Sequence, residues 1–184
     1  MARVKPGRAP GRAEWARIRL FAMDVDGILT DGSVTVFSDG IEAKRFSVLD
    51  GMGLGMVRDA GIELAWISGR SSGATTIRAQ ELRIAHVLQG RRDKLAALAE
   101  VAAAAGVPLR ECVYMGDDFI DVPALKAAGI GVTVPNAMPE ALAAARLVTG
   151  RCGGAGAVRE VCDLILAAAR AAPRNSAVPA RTKP

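Results

Sequence analysis

Two carboxylates stand one residue apart in Asp24-Val25-Asp26-Gly27, and side chains two positions apart on an extended segment point the same way. Both acids therefore face one space while Val25 points into a core. Carboxylates that close repel unless a cation or a proton lies between them. An Asp-rich turn after a strand would explain these four residues alone, but the pattern runs on as Asp24-x-Asp26-Gly27-x-x-Thr30-Asp31. A second acidic group, Gly116-Asp117-Asp118-Phe119-Ile120-Asp121, follows another apolar run. A helix cap accounts for one of its acids and not for the rest. A hard cation accounts for more, since Mg2+ takes one or two protein carboxylates together with water and phosphate oxygens.

Two further segments carry groups suited to phosphate. Ser68-Gly69-Arg70 follows the run Leu64–Ile67; a hydroxyl beside a glycine, where backbone N–H groups can approach an oxyanion, suits phosphate near a helix start. A serine helix cap is the alternative. Lys94, in Arg91-Arg92-Asp93-Lys94, opens a helix, where the dipole disfavours an ammonium unless an anion compensates. A bound phosphate and a solvated basic turn are both open readings.

These residues need elements to position them. Short β-type runs at Leu20–Val25, Leu64–Ile67, Ala85–Leu88, Cys112–Met115 and Gly131–Val134 alternate with helical stretches near 51–60, 72–82, 93–105, 119–128, 139–146 and 156–169. That alternation predicts an α/β fold, a Rossmann-like, mostly parallel sheet with helices on both faces. Val34–Phe37 and Glu42–Phe46, joined by Ser38, Asp39 and Gly40, read as a β-hairpin. Asp24 and Asp26, Ser68, and Asp117 and Asp118 then fall at the C-terminal ends of strands, the edge where open α/β sheets bind ligands.

The 184 residues suit one domain, and a composition 51% hydrophobic and 23% charged is that of a globular chain. Aromatic residues at 4% argue against stacking recognition of nucleic acid, and apolar runs such as 101–105 are too short for a membrane span. The net charge of +5 is uneven: residues 1–19 carry +5, residues 170–184 carry +4, and the 20–169 body carries −4. The expected organisation is a disordered basic tail over 1–19, a catalytic domain over 20–169, and a second disordered tail over 170–184. Solvated tails are a simpler reading than arms for nucleic acid or anionic surfaces. No apolar signal core opens the chain, although Arg- and Ala-rich starts can be organelle-targeting. Cys112, Cys152 and Cys162 lack CxxC spacing, which fits a reducing cytoplasm.

The ordered set Asp-x-Asp-Gly-x-x-Thr-Asp, Ser-Gly-Arg, Lys and Gly-Asp-Asp-x-x-Asp resembles the four motifs of the haloacid dehalogenase superfamily of phosphohydrolases, over residues 20–169. More narrowly, the 24–40 stretch, Asp50-Gly51, Gln89-Gly90 and the 156–165 segment are similar to the branch acting on 3-deoxy-D-manno-octulosonate 8-phosphate in lipopolysaccharide sugar synthesis. The resemblance implies that Asp24 is a nucleophile forming an aspartyl phosphate, and that Asp26 is the acid and base. It further implies that Asp24, the Asp26 backbone carbonyl and Asp117 hold Mg2+, that Ser68, Gly69 and Lys94 bind the phosphoryl group, and that Asp118 and Asp121 orient metal waters and Lys94. Arg70 could pair with the carboxylate of a sugar acid.

The 43 residues between Asp24 and Ser68 and the 25 between Ser68 and Lys94 leave no room for a cap domain. In the capless branch that the chain resembles, neighbouring subunits of a homotetramer shield the site, the hairpin forming the central contact and the C-terminal segment reaching a neighbour. The resemblance aligns Gly153-Gly154-Ala155-Gly156 with a Gly-Gly-Arg-Gly segment, so Ala155 stands where that arginine would; Arg151 or Arg159 could compensate. His86 reads as a satisfied core or rim residue, and Met52, Leu54 and Met56 as packing. Two other functions remain open: a phosphatase for nine-carbon acylneuraminate or nonulosonate 9-phosphates, and a non-catalytic oligomerisation or regulatory module.

Overall fold

The structure, a computed structural model, describes residues 9–170. Its strands are β1 (Leu20–Met23), β2 (Thr35–Val36), β3 (Glu42–Ala43), β4 (Glu63–Ile67), β5 (His86–Leu88), β6 (Cys112–Met115), β7 (Ile130–Thr133) and β8 (Leu147–Val148). Its helices are α1 (Arg12–Trp15), α2 (Val48–Asp59), α3 (Gly73–Leu82), α4 (Lys94–Ala104), α5 (Val122–Ala127), α6 (Pro139–Ala144) and α7 (Ala157–Arg170). β1 is apolar and buried at every position, as a strand must be when helices cover both faces of a parallel sheet. The six-stranded sheet has the order β5-β4-β1-β6-β7-β8, and all its pairings are parallel. The chain runs outward from β1 through β4 to β5, then returns to the other side of β1 for β6. That reversal opens a crevice at the C-terminal ends of β1 and its neighbours.

Alternation along each strand divides the core. Phe21, Met23, Leu64 and Trp66 pack with Leu54 of α2 and Val161 of α7, while Leu20, Ala22, Ala65 and Ile67 pack with Leu98 of α4 and Leu125 of α5. The α/β class expected from the sequence is thus the class observed, and no cap domain interrupts it among the described residues.

Several boundaries differ for local reasons. The N-terminal tail expected to be disordered through residue 19 is folded from α1 on: Trp15 and Ile18 are buried in the core and Glu14 pairs with Arg146 at 2.8 Å. Two buried apolar side chains outweigh the arginines that suggested a solvated leader. Residues 170–184, expected as a second tail, lie outside the described residues apart from Arg170. α2 starts three residues early because Ser47 caps it, accepting the Asp50 N–H at 3.4 Å. The helix expected from Phe119 begins as a 3-10 turn over Phe119–Asp121, capped by Asp118, before α5. β8 was not expected. In the hairpin only Thr35 faces Ala43 and Val36 faces Glu42. Phe46, at the end of the expected hairpin, stacks on Trp66, ring centroids 6.1 Å apart.

Cys112 and Cys162 are buried, Cys152 is exposed, and all three are free thiols. Leu54 is buried as expected, but Met52 is 60% exposed. No helix among the described residues is long and apolar enough to cross a membrane.

Candidate active site

The Asp24 N–H extends the β1–β6 pairing by donating to the Met115 carbonyl at 2.9 Å, so its side chain stands at the crevice edge with little exposure. Asp24 Oδ1 accepts the Val25 N–H at 2.7 Å and lies 2.7 Å from Lys94 Nζ. Lys94, the first residue of α4, also donates to the Ile67 carbonyl at 2.7 Å and sits 3.4 Å from Asp121 Oδ1. Its side chain is 0% exposed, which removes the solvated-turn reading. The anions that compensate this buried ammonium are Asp24 and Asp121.

Asp121 is saturated. Oδ1 takes the Tyr114 hydroxyl at 2.6 Å as well as Lys94, and Oδ2 takes the N–H groups of Asp117 and Asp118 at 3.2 and 3.1 Å. Asp117 is the reverse case, because its Oδ1 is buried with no hydrogen-bond partner among the described residues. One oxygen each of Asp24, Asp117 and Asp121 lie within 4.8 Å of one another. Burial, with the charges of Asp24, Asp121 and Asp118 adding to it, pushes the Asp117 carboxyl up to about 7. Burial also raises Asp24 to about 6, outweighing the ammonium of Lys94 beside it. Two carboxyls held above their ordinary range, one with an orphaned buried oxygen, form a donor set that a hard divalent cation satisfies. Asp24 and Asp117 have ligand capacity left, whereas Asp121 does not. Gly27 makes their approach possible: its φ is +94°, and a Cβ there would stand 2.1 Å from Asp117 Oδ2.

The opposite wall follows β4. Ser68 is buried, and its Oγ accepts the Arg70 N–H at 3.1 Å, shaping the 68–70 turn. Arg70 pairs with Glu42 Oε2 of β3 at 2.7 Å, and Lys44, just beyond β3, reaches Asp26 Oδ1 at 2.6 Å. A cavity of about 330 Å3 opens between Asp24, Asp26, Gly69, Arg70, Asp117 and Asp118, with Arg92 and Phe119 on its rim. The sequence-derived set, Ser68 apart, therefore converges on one place; Ser68 is buried and is not among the residues that line the cavity. Asp24, Asp26, Gly69, Arg70, Asp117 and Asp118 face the cavity, and Lys94 and Asp121 are tied to Asp24. Asp118 spends Oδ1 on the Phe119 N–H at 2.6 Å, within its own turn.

Sequence reading missed Lys44, Glu42, Tyr114 and Arg92. The signal for Tyr114 was there: a single tyrosine in a buried apolar strand needs a partner for its hydroxyl. Lys44 and Glu42 gave none, because their partners depend on where the hairpin folds. His86 lies at the sheet edge, 3.8 Å from Glu63, away from this cavity.

The Asp24–Asp31 turn is held from within and from behind. Thr30 Oγ1 accepts the N–H groups of Gly27 and Gly32 at 3.3 and 3.2 Å. The Gly154 N–H donates to the Ile28 carbonyl at 3.0 Å, and Gly153 packs so close that a Cβ would fall 1.8 Å from the Gly27 carbonyl oxygen. α7, which follows this loop, is secured by Asp50 of α2, whose Oδ1 accepts the Arg159 N–H at 2.7 Å. Ala155 is exposed and is not among the residues lining the cavity.

Comparisons with known proteins point to one family. A family profile described as haloacid dehalogenase-like hydrolase matches residues 57–158. The 3-deoxy-D-manno-octulosonate 8-phosphate phosphatase KdsC of Yersinia pestis is 43% identical over 153 residues, 83% of this chain and 82% of that protein. The crystal structure of the phosphatase of that name from Moraxella catarrhalis, in complex with magnesium ion, phosphate ion and KDO, has a TM-score of 0.85 and 47% identity, covering 86% of this chain and 91% of that one. The cobalt-bound form of the Haemophilus influenzae phosphatase has a TM-score of 0.83 and 36% identity, covering 85% and 92%.

Proposed function

Because the chain belongs to the haloacid dehalogenase-like hydrolases, in the branch of the 3-deoxy-D-manno-octulosonate 8-phosphate phosphatases, we propose that it is the Mg2+-dependent enzyme that hydrolyses this phosphomonoester to the free sugar acid and inorganic phosphate. The observation that carries the reading is the convergence of Asp24 with Asp117 and its orphaned Oδ1, beside Asp26 on the same cavity wall. Asp24, Asp117 and the backbone carbonyl of Asp26 would hold the metal. When bound, Mg2+ neutralises the charge that nucleophile and phosphate bring together, so that one anion can approach another.

The chain's own residues supply the rest. Asp24 attacks phosphorus; its new O–P bond forms as the bond to the sugar oxygen breaks, and Asp26 gives that oxygen its proton. Asp26 then takes a proton from the water that attacks the aspartyl phosphate, releasing phosphate and restoring the Asp24 carboxylate. Lys94, Ser68 and Gly69 bind the phosphoryl oxygens, and Lys94 holds Asp24 Oδ1 so that the other oxygen faces phosphorus. Asp121 orients Lys94 through their 3.4 Å contact, and Asp118 orients waters at the cavity wall. Arg70 offers its guanidinium to the sugar carboxylate in exchange for Glu42. The relatives' substrate is the eight-carbon acid, which favours it over nine-carbon phosphates, and the intact set of acids disfavours a non-catalytic module.

A homotetramer completes this reading. The cavity has no cap over it, and exposed apolar side chains concentrate on the hairpin and the start of α2: Val36, Phe37, Ile41, Val48, Leu49 and Met52. A ribbon with two residues per strand is not stable alone in water and presents open edges; burial against equivalent hairpins removes both defects and places neighbours near each other's sites. The free thiols are in keeping with a cytoplasmic enzyme. Phosphate release from the octulosonate phosphate, in Mg2+ against EDTA and beside an acylneuraminate 9-phosphate, tests the substrate. Release should require metal, favour the eight-carbon ester and vanish in Asp24→Asn with the fold intact. Preference for the nine-carbon ester, or turnover surviving in that variant, overturns it.

A further inference from the structure

The loop carrying Asp26 follows a buried strand, yet the one side-chain hydrogen bond to the Asp26 carboxyl among the described residues comes from the hairpin, 18 positions on. Lys44 Nζ lies 2.6 Å from Asp26 Oδ1 and 3.8 Å from Glu42 Oε1, and its side chain is 0% exposed. Glu42 Oε2 in turn holds Arg70 at 2.7 Å. Asp26, Lys44, Glu42 and Arg70 thus form a chain of alternating charge whose two ends, Asp26 and Arg70, both line the cavity. Burial alternates through this stretch: Ile41, Ala43 and Arg45 are exposed while Glu42, Lys44 and Phe46 turn inward. Phe46 is fastened to Trp66, on the strand that leads to Ser68, which settles the side to which Lys44 points. An enclosed ammonium is costly unless it is paired, so this lysine has little freedom to leave its carboxylate. With Oδ1 engaged, Oδ2 of Asp26 is the oxygen free of hydrogen bonds among the described residues.

We infer that Lys44 is a positioning residue for the phosphatase reaction: it clamps the Asp26 carboxyl by one oxygen so that the other faces the ester oxygen in the first step and the attacking water in the second. The inference rests on the phosphatase reading above. It makes the hairpin part of the catalytic apparatus, through its inner face, as well as an assembly element through its outer face.

The two steps can be separated with 4-nitrophenyl phosphate. Its leaving group departs without a proton, so formation of the aspartyl phosphate does not need Asp26, while hydrolysis of that intermediate does. In Lys44→Met, rapid-quench kinetics with Mg2+ should show nitrophenolate released at the wild-type rate up to one equivalent per site. A steady state slowed about tenfold to a hundredfold should follow, the range expected when a group acting in general acid–base catalysis is misplaced. With the octulosonate phosphate, whose alkoxide needs the proton, kcat should fall by a similar factor with KM within about twofold. Lys44→Arg should recover most of the loss. Light scattering and thermal melting establish that the Met variant keeps wild-type mass and fold; if it does not, Lys44→Gln, whose shorter, uncharged side chain releases the Asp26 carboxylate, must show the same split. Burst and steady state falling together, or kcat unchanged, overturns the inference. Absence of metal-dependent turnover in the wild type would instead overturn the phosphatase reading itself.

Discussion

Replacing Lys94 by Met, close in volume and without charge, tests whether the nucleophile is held by a buried ion pair. The ammonium contacts Asp24, Asp121 and the Ile67 carbonyl, and the side chains of Lys94, Asp24 and Asp121 are 0%, 8% and 0% exposed. Removing one partner of such a pair costs about 3–5 kcal/mol, because the other charge is left uncompensated. The fold can escape part of that cost by protonating Asp24. Lys94 itself holds that carboxyl down to about 6, so without it Asp24 lies higher and protonation at pH 8 costs less than about 3 kcal/mol, at roughly 1.4 kcal/mol per pH unit. The Asp24 pKa in the fold lies above its unfolded value of 3.8. Ionising it therefore carries a stability penalty that is absent below 3.8 and complete once the pH has risen past about 6. Lys94 offsets that penalty only where Asp24 is ionised.

Lys94→Met should accordingly lose about 3 kcal/mol in EDTA at pH 8 and about 1–2 kcal/mol at pH 5, where the lost hydrogen bond to Ile67 and the lost contact with Asp121 remain. At about 2–4 °C per kcal/mol for a domain of this size, melting at pH 8 should fall by roughly 6–12 °C. Urea titrations followed by far-UV circular dichroism at the two pH values measure both numbers. Adding Asp24→Asn to Lys94→Met should return most of the pH 8 loss. A loss that is equal at pH 5 and pH 8, or below about 1 kcal/mol at pH 8, would refute the argument.

Asp117→Asn removes a carboxyl held at about 7 by burial and its acidic neighbours, so in EDTA at pH 8 its melting temperature should rise, while the stabilisation that wild type gains from Mg2+ should shrink; an unchanged Mg2+ response in calorimetry counts against Asp117 as a ligand. In wild type, the folded-state values of Asp24 and Asp117 both lie above 3.8, so protons compete with metal below about pH 7, and the melting shift produced by a fixed Mg2+ concentration should be larger at pH 8 than at pH 5. Gly153→Ala places a methyl 1.8 Å from the Gly27 carbonyl oxygen and should cost about 1–3 kcal/mol by overpacking together with a drop in kcat, since the displaced turn carries Asp26. Val36→Asp with Phe37→Asp should lower the mass seen by light scattering together with sugar-phosphate turnover, and a fully active monomer would rule out assembly through the hairpin.

Much of this protein follows from local pattern. The apolar run 20–23 reads as a strand covered on both faces, and the regular return of such runs between helical stretches implies a parallel sheet whose strand ends carry Asp24, Asp26, Ser68, Asp117 and Asp118. Side-chain period and turn chemistry act over a few residues, so a sequence displays them directly. Tertiary packing decided the rest. That Lys94 answers to Asp24 and Asp121 rather than to solvent depends on α4 docking against β4 and α5. That Lys44 reaches Asp26 depends on the hairpin folding back over 18 residues. That Asp50 secures α7 through the Arg159 N–H joins positions 109 apart, and Gly153 owes its residue type to a carbonyl 126 positions earlier. Trp15 likewise joined the core because α7 offers it an apolar face, whatever the charge of its neighbours. A buried charge must find its counter-charge within about 4 Å or lose the fold, but which group it meets depends on how distant segments pack, and no run of adjacent residues records that.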